Sequence, residues 1–266
     1  MRLPVIMYHR IGDGDRYCVS ESDFAGQMSY LFSHGFRSVM PGEQTGGREA
    51  ASREVIITFD DGHDSDYAVA LPLMKKYGFR GVSFVTTGYI GTPGYMTRAM
   101  VQSLIAAGFA VHSHTHSHPL LAVVDPVTLR YELSQSRHIL TALSGMEVNG
   151  LSLPGGSCSK RVIAAANELG YTYVFGSSPF INRVDGPGFY GRMLISSGTS
   201  FETFCKIVAP DEWLYARARC AYLARNVIRG VIGAERYHRL WHRHYKRSLP
   251  AKVPKRAGSG RDGFPF

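Results

Sequence analysis

Two tryptophans and four cysteines are all that 266 residues hold of either type. Cys18, Cys158, Cys205 and Cys220 lie far apart and form no CxxC pair. That excludes a disulfide framework and a thiolate metal knuckle, and the four read as free thiols in a reducing compartment. Long hydrophobic runs are missing too, since none approaches the ~20 residues of a membrane-spanning helix. The apolar stretch within MRLPVIMYHR is too short for a secretory h-region, so a cytoplasmic location is expected. Acidic residues are scarce in one part of the chain only. Residues 1–210 hold 17 Lys and Arg against 17 Asp and Glu, whereas residues 211–266 hold 13 against 4. All of the formal +9 charge therefore belongs to the last fifth of the chain, which points to a partner for the tail and not for the main domain.

The hydrophobic fraction, 44%, is that of a globular protein with a packed core. Strand-like and helix-like segments alternate from the start. LPVIMYH, EVIITF, GVSFVTT, FAVHS, GLSLP, YTYVF and FYGRMLI read as strands. Between or after them, SESDFAGQMSYLFSHG, SDYAVALPLMKKYG, TRAMVQSLIAAG, DPVTLRYELSQSRHILTALSG, SKRVIAAANELG and SFETFCKIV read as helices. Ser20, Thr97 and Asp125 are candidate N-caps, with Pro126 at a first helical position. Repeated βα alternation predicts an α/β fold with a parallel sheet covered by helices, open or closed into a barrel. The expected domain covers residues 1–210. A basic helical extension follows over 211–247, interrupted at Gly230 and Gly233, and a disordered Pro/Gly/basic tail over 248–266.

In parallel α/β sheets, functional groups gather at the carboxyl ends of strands. EVIITF runs into Asp60-Asp61-Gly62-His63, FAVHS into a cluster holding His112, His114, His116 and His118, and GLSLP into Gly155-Gly156. In an extended segment Asp60 and Asp61 point to opposite sides, so one can ligate a cation while the other accepts a proton. An Asp-Gly turn with a helix cap is the plain alternative. His114 and His118 share one side in either a helical turn or a strand. Two imidazoles and one carboxylate with positions left for water make a catalytic zinc ligand set, and a histidine-rich surface tract is the other reading.

TFDDG, SHTHSHP and LPGG, in that order, resemble the polysaccharide deacetylase (NodB-homology, carbohydrate esterase) family over roughly residues 3–208. The resemblance implies a distorted TIM-like (β/α) barrel and a metal-dependent hydrolase that removes N-acetyl groups from amino sugars of a glycan. It makes Asp61, His114 and His118 the metal ligands, Asp60 the general base, and the Gly155 N–H an oxyanion donor. Pro154 and Gly156 would line the acetate pocket. The expected ion is Zn²⁺, with Co²⁺ or Ni²⁺ suiting the same ligands. His112 and His116 fall on variable positions and are not assigned as ligands.

Three departures stand out. The third motif often begins with Arg, which supports the base, and Ser152 stands there instead. Arg192 is a candidate replacement, or a substrate contact. The Asp/Trp pair of the fourth motif is not evident after YTYVF. The fifth motif ends in a histidine that donates the acid, and MLISSGTSFETFCKIV has none, which makes His63 a substitute candidate. An O-deacetylase, a cyclic-amide hydrolase, or a glycan-binding protein without turnover are the competing functions. No nucleic-acid reader motif is visible in the basic tail. From Trp213 to Tyr245, Arg alternates with aromatic and aliphatic residues at helical intervals. A helix packed on the barrel is one reading. Peripheral contact with the inner membrane face, with Trp213 or Trp241 at the interface, is the other.

Overall fold

Every pairing in the main sheet is parallel. The computed structural model describes residues 3–43, 53–156, 158–182 and 186–233. The chain begins with β1 (Val5–Tyr8), a small pair formed by β2 (Arg10–Ile11) and β3 (Cys18–Val19), α1 (Glu21–Ser33) and β4 (Phe36–Ser38). Next come β5 (Arg53–Phe59), α2 (Leu71–Lys76), β6 (Val82–Val85), α3 (Arg98–Ala106), β7 (Ala110–Ser113) and α4 (Pro126–Ser144). Then follow β8 (Gly150–Ser152), α5 (Lys160–Glu168), β9 (Tyr173–Phe175), β10 (Gly188–Tyr190), β11 (Met193–Leu194), α6 (Phe201–Val208) and α7 (Glu212–Ile232). Side-chain caps fix where the helices start. Ser20, Thr97, Asp125, Ser159 and Ser200 each accept a backbone N–H of the first turn, replacing a bond the helix cannot supply itself.

Two sequence expectations are revised. The helix expected over residues 65–78 opens as a π-turn, Asp66–Ala70, before α2. Pro72 carries no N–H, so an α-helical ladder through that point would lack a bond. The single strand expected in FYGRMLI is two strands on opposite edges of the sheet. Its order is β10-β9-β8-β7-β6-β5-β1-β11, with β4 added beside β5. Only Gly191 and Arg192 separate β10 from β11, so the two edges must meet, and the sheet curls into a barrel whose seam is this dipeptide. Asn182 holds the seam: its side chain accepts the Gly191 N–H at 2.8 Å and donates to the Gly191 carbonyl at 2.9 Å. A Cβ on Gly191 would come within 2.3 Å of the Ser178 carbonyl oxygen, so only glycine fits there.

Strand alternation sorts side chains onto two faces. Val55, Ile57 and Phe59 of β5 join the large apolar cluster with helix residues such as Phe24, Met74 and Leu104. Ile56 joins a smaller cluster with Val5, Val82, Phe84 and Phe175, which lines the barrel interior. The same alternation aims Thr58 and Asp60 inward.

Contacts divide the chain into a compact unit, Met1–Arg225, and a second unit, Asn226–Phe266. The first unit runs past residue 210, because Tyr215 is buried and donates its hydroxyl to the Ile207 carbonyl. α7 continues through Gly230 and ends before Gly233, whose φ is +84°. The expected tail over 248–266, and Trp241, lie outside the described residues. No helix among the described residues is long and apolar enough to cross a membrane.

Candidate active site

The site forms where β1, β5, β7 and β8 end. Parallel register pairs Tyr8 with Phe59, and the Asp60 N–H continues the ladder by donating to the Tyr8 carbonyl at 3.0 Å. His9 therefore stands beside Asp60, one residue beyond the last pair. The strand direction breaks immediately after Asp60. Asp61 and Gly62 both have left-handed backbones, with φ of +76° and +82°. This turn brings the second carboxylate back toward the barrel mouth, where strand alternation alone would have sent it away. A Cβ on residue 62 would sit 3.0 Å from Val85 Cγ1, so the turn is also sterically tight.

The histidine cluster has two further left-handed residues, Thr115 (φ +70°) and His118 (φ +63°). Such conformations are strained for residues with a Cβ and need outside support. Thr115 Oγ1 accepts the His118 N–H at 3.0 Å. Glu132 of α4, itself buried, accepts the backbone N–H groups of His116 and Ser117 at 2.9 and 2.7 Å, and the Ser117 hydroxyl as well.

Asp61, His114 and His118 converge, with one ligand atom from each within 4.8 Å of the others. Both imidazole Nε2 atoms lie 3.3 Å from Asp61 Oδ1. His114 Nδ1 is 3.0 Å from the Ser152 carbonyl, an acceptor, so Nδ1 carries a proton and Nε2 is the atom turned to Asp61. That outer hydrogen bond fixes the ring as a ligand would need. Asp61 Oδ1 is buried with no hydrogen-bond partner among the described residues. Three electron-pair donors thus face one another at close range, and a positive charge must lie among them. A divalent cation fits this donor set, and in its absence a proton on His114 serves. Burial pushes the His114 imidazole down, but Asp60 and Asp61 outweigh it and its pKa is raised. Burial opposes ionisation of Asp61 as well, yet contact with His114 holds its carboxyl well below the usual range. Burial pushes His118 down to about 4, so its imidazole is neutral and free to ligate.

Asp60 borders this cluster, with Oδ2 4.0 Å from His114 Nε2, but its hydrogen bonds belong to a network with Arg192. The guanidinium Nη1 and Nη2 donate to Oδ1 and Oδ2, Nη2 also donates to Ser152 Oγ at 2.7 Å, and Ser152 passes a bond on to Asp60 Oδ2 at 3.0 Å. Nε donates to the Gly176 carbonyl. Burial alone would raise the Asp60 carboxyl, but Arg192 and then His114 hold it below its ordinary value. Arg192 is fully buried, so the expectation of a substrate contact is revised: it has no surface to offer, and its guanidinium is spent on Asp60. Ser152, noted in the sequence only for not being Arg, links the two.

The other candidates are placed as follows. Pro154–Gly156 forms a 3₁₀ turn after β8. Gly155 is exposed while Pro154 and Gly156 are buried, and Gly156 spends its N–H on the Leu153 carbonyl. His63 stacks on Tyr95, its Nδ1 faces the Gly94 carbonyl at 3.1 Å, and its Nε2 is 3.9 Å from Asp61 Oδ2. His116 turns away to Thr87 Oγ1, and His112 lies deeper in the barrel against Phe84. Sequence reasoning missed His9 and Glu132. His9 packs against Tyr17, and its buried Nδ1 has no hydrogen-bond partner among the described residues. Burial lowers its pKa against the pull of Asp61 and Asp60. The signal was present, since VIMYH is an apolar strand ending in a polar residue, as the other site strands are.

A family model described as polysaccharide deacetylase matches residues 47–174. The chain is 27% identical over 208 residues to a putative polysaccharide deacetylase, YxkH, of Bacillus subtilis, covering 76% of this chain and 75% of the relative. It is 24% identical over 207 residues to a poly-beta-1,6-N-acetyl-D-glucosamine N-deacetylase of Staphylococcus aureus, covering 71% of each. The fold matches that of the Streptococcus pyogenes deacetylase PplD, solved in complex with acetate. The TM-score is 0.70 at 22% identity, over 78% of this chain and 98% of that one. The span matched by the family model carries Asp60, Asp61, His114, His118, Ser152 and Gly155, while His9 and Arg192 lie outside it. With the parallel barrel and these relatives agreeing, the chain is similar to the NodB-homology polysaccharide deacetylase family, whose model matches just under half of it.

Proposed function

We propose that the protein is a divalent-metal-dependent N-deacetylase of amino sugars in a polysaccharide or glycan precursor, with zinc as the ion. One observation carries this reading: a donor cluster that fits a divalent cation, Asp61 with His114 and His118, stands beside a separate buried carboxylate, Asp60, kept ionised by Arg192. A cation held there would supply Lewis acidity toward water and the amide carbonyl. The remaining chemistry belongs to side chains and backbone. Asp60 takes the proton of the attacking water as its oxygen bonds to the acetyl carbon. Arg192 and Ser152 keep both carboxylate oxygens oriented, and the lowered basicity of Asp60 suits a water already made acidic. The Gly155 N–H steadies the negative charge that develops on the carbonyl oxygen. The C–N bond breaks, and an imidazole protonates the departing amine. His9 suits that role better than His63, because the strand register sets it directly beside Asp60.

The substrate class rests on the name of the Staphylococcus aureus relative, which makes oligomers of β-1,6-linked N-acetylglucosamine the first to try. A cytoplasmic enzyme would act on a lipid-linked or nucleotide-linked precursor before export. A binding protein without turnover drew its support from the missing fifth-motif histidine, and His9 at the site weakens that support. Acetate and free amine should both appear when the oligomers are treated with protein stripped by chelator and reloaded with Zn²⁺. Acetate with an alcohol product would favour O-deacetylation, and no acetate from any N-acetylated glycan would sink the proposal.

A further inference from the structure

We infer that the outer face of α7 docks on an anionic phospholipid surface. Five of the twelve large apolar residues exposed among the described residues lie on this one helix: Trp213, Leu223, Val227, Ile228 and Val231. Their exposure is high, 83% for Trp213 and 81% for Val231. At 3.6 residues per turn, positions 213, 216, 220, 223, 227 and 231 fall on one stripe. Ala216 and Cys220, which fill the gaps between Trp213 and Leu223, are exposed too. The face opposite the beginning of this stripe is the one that packs inward, where Tyr215 is buried and Leu214 and Ala218 lie against the core. The helix is thus amphipathic in an unusual sense. It has a small inner apolar face satisfied by the barrel and a longer outer one left in water, where an exposed apolar patch of this kind marks an interaction site.

Charge identifies the occupant. Exposed Arg217 and Arg219 border the stripe on its two sides, and Arg225 lies further along. Glu212 is the one acidic residue in the helix sequence, and residues 234–256 add eight Lys or Arg against one Glu. An apolar stripe flanked by arginines suits a helix lying in the plane of a lipid interface, its guanidinium groups reaching phosphate while the stripe enters the acyl boundary. A second copy of the same helix would bring arginine borders against arginine borders, which disfavours self-association. The inference does not depend on the reaction assigned to the barrel.

The test uses the full chain and its co-sedimentation with vesicles of phosphatidylcholine mixed with phosphatidylglycerol, or of phosphatidylcholine alone. The protein should pellet with the mixed vesicles at low salt and be largely released at about 0.5 M salt, where screening is strong. A Leu223→Ser, Val227→Ser variant should lose at least about tenfold in partitioning. An Arg217→Glu, Arg219→Glu variant, altered only at exposed positions, should lose binding as well and provides the same test should the first variant fold poorly. Unchanged melting would show that neither variant is misfolded. Protein that stays in the supernatant at low salt, or variants that pellet like the parent, would overturn the inference. So would a dimer, seen by light scattering, that the Leu223 and Val227 changes dissolve.

Discussion

Arg192 places its two Nη atoms 2.7 and 2.8 Å from the two carboxylate oxygens of Asp60, inside the barrel and away from solvent. The guanidinium also lies over the rings of Phe84 and Phe175, at 5.5 and 5.9 Å from their centroids. Bidentate geometry, a hydroxyl from Ser152 and two aromatic faces compensate for taking both charges out of water. The arginine comes from the barrel seam, yet it orients the carboxylate at the end of β5.

Removing one partner of such a pair leaves the other charged and buried. Arg192→Met should cost about 3–5 kcal/mol of stability in urea unfolding. Adding Asp60→Asn to that variant should recover a good part of the loss without restoring turnover. The pH dependence has a definite sign. Because the folded Asp60 carboxyl is held below its unfolded value of about 3.9, its contribution is full above that pH and fades as pH falls through the folded pKa. The stability gap between the parent and Arg192→Met should therefore narrow on acidification, beginning above about pH 4, because the buried Asp60 of the variant takes up a proton more readily without its guanidinium. A gap that is constant with pH would mean that the arginine acts by packing alone.

His9 and His63 can be separated kinetically. His9→Gln should keep the fold and the bound cation but lower kcat by about 100-fold or more, the scale of a general acid. Donation requires the protonated ring, so kcat/KM should decline on the alkaline side, and His9→Gln should flatten that limb. His63→Ala should leave the limb in place, because its ring is occupied by Gly94 and Tyr95. The opposite pattern would transfer the role to His63.

Much of this was legible in the sequence because strand ends announce themselves. EVIITF followed by Asp-Asp-Gly, and FAVHS followed by alternating histidines, carry both the period of a buried strand and the polar break that ends it. Caps at Ser20, Thr97 and Asp125 were readable for the same local reason. Other site features depend on long-range placement. Arg192 could be named only as a candidate partner of Asp60, because their meeting requires the sheet to close at Gly191, and closure leaves no periodic trace. FYGRMLI looks like one strand because both of its halves are apolar; that they belong to opposite sheet edges is a property of the whole barrel. Glu132 sits on the buried stripe of α4, where a carboxylate looks like an interruption until the loop it receives is known.

His112 offers a test of the barrel interior that leaves the site untouched. Burial pushes its pKa down to about 4, and Nδ1 is buried with no hydrogen-bond partner among the described residues. The unfolded chain, with a histidine near 6.5, binds a proton between those values that the folded chain rejects. Stability should therefore rise with pH across about 4 to 6.5, by at most about 1.4 kcal/mol per unit from this group. His112→Asn should remove that part of the slope in denaturant melts at successive pH values. An identical slope would show that His112 is solvated and titrates normally.

Glu132 bears on metal binding without touching the metal ligands. The loop from His114 to His118 contains two residues held at positive φ, and it is tied down by the two N–H groups and the hydroxyl that end on this carboxylate. Glu132→Ala removes all three bonds, so the loop can relax and carry His118 away from Asp61. Supports of this outer kind typically cost 10–100-fold in metal affinity when lost, and that is the expected weakening for Zn²⁺ titrated calorimetrically into the stripped protein. Glu132→Gln should bind nearly as the parent does, because the amide oxygen still accepts both N–H groups while its NH₂ can donate to the Ser117 hydroxyl. Two further variants bracket the result. His114→Ala should abolish most binding, and His116→Ala should leave it almost unchanged, since that ring is turned to Thr87. If Glu132→Ala bound zinc as tightly as the parent, the left-handed turns at Thr115 and His118 would be self-supporting. If His114→Ala and His116→Ala held equal zinc, the ligand assignment itself would fail.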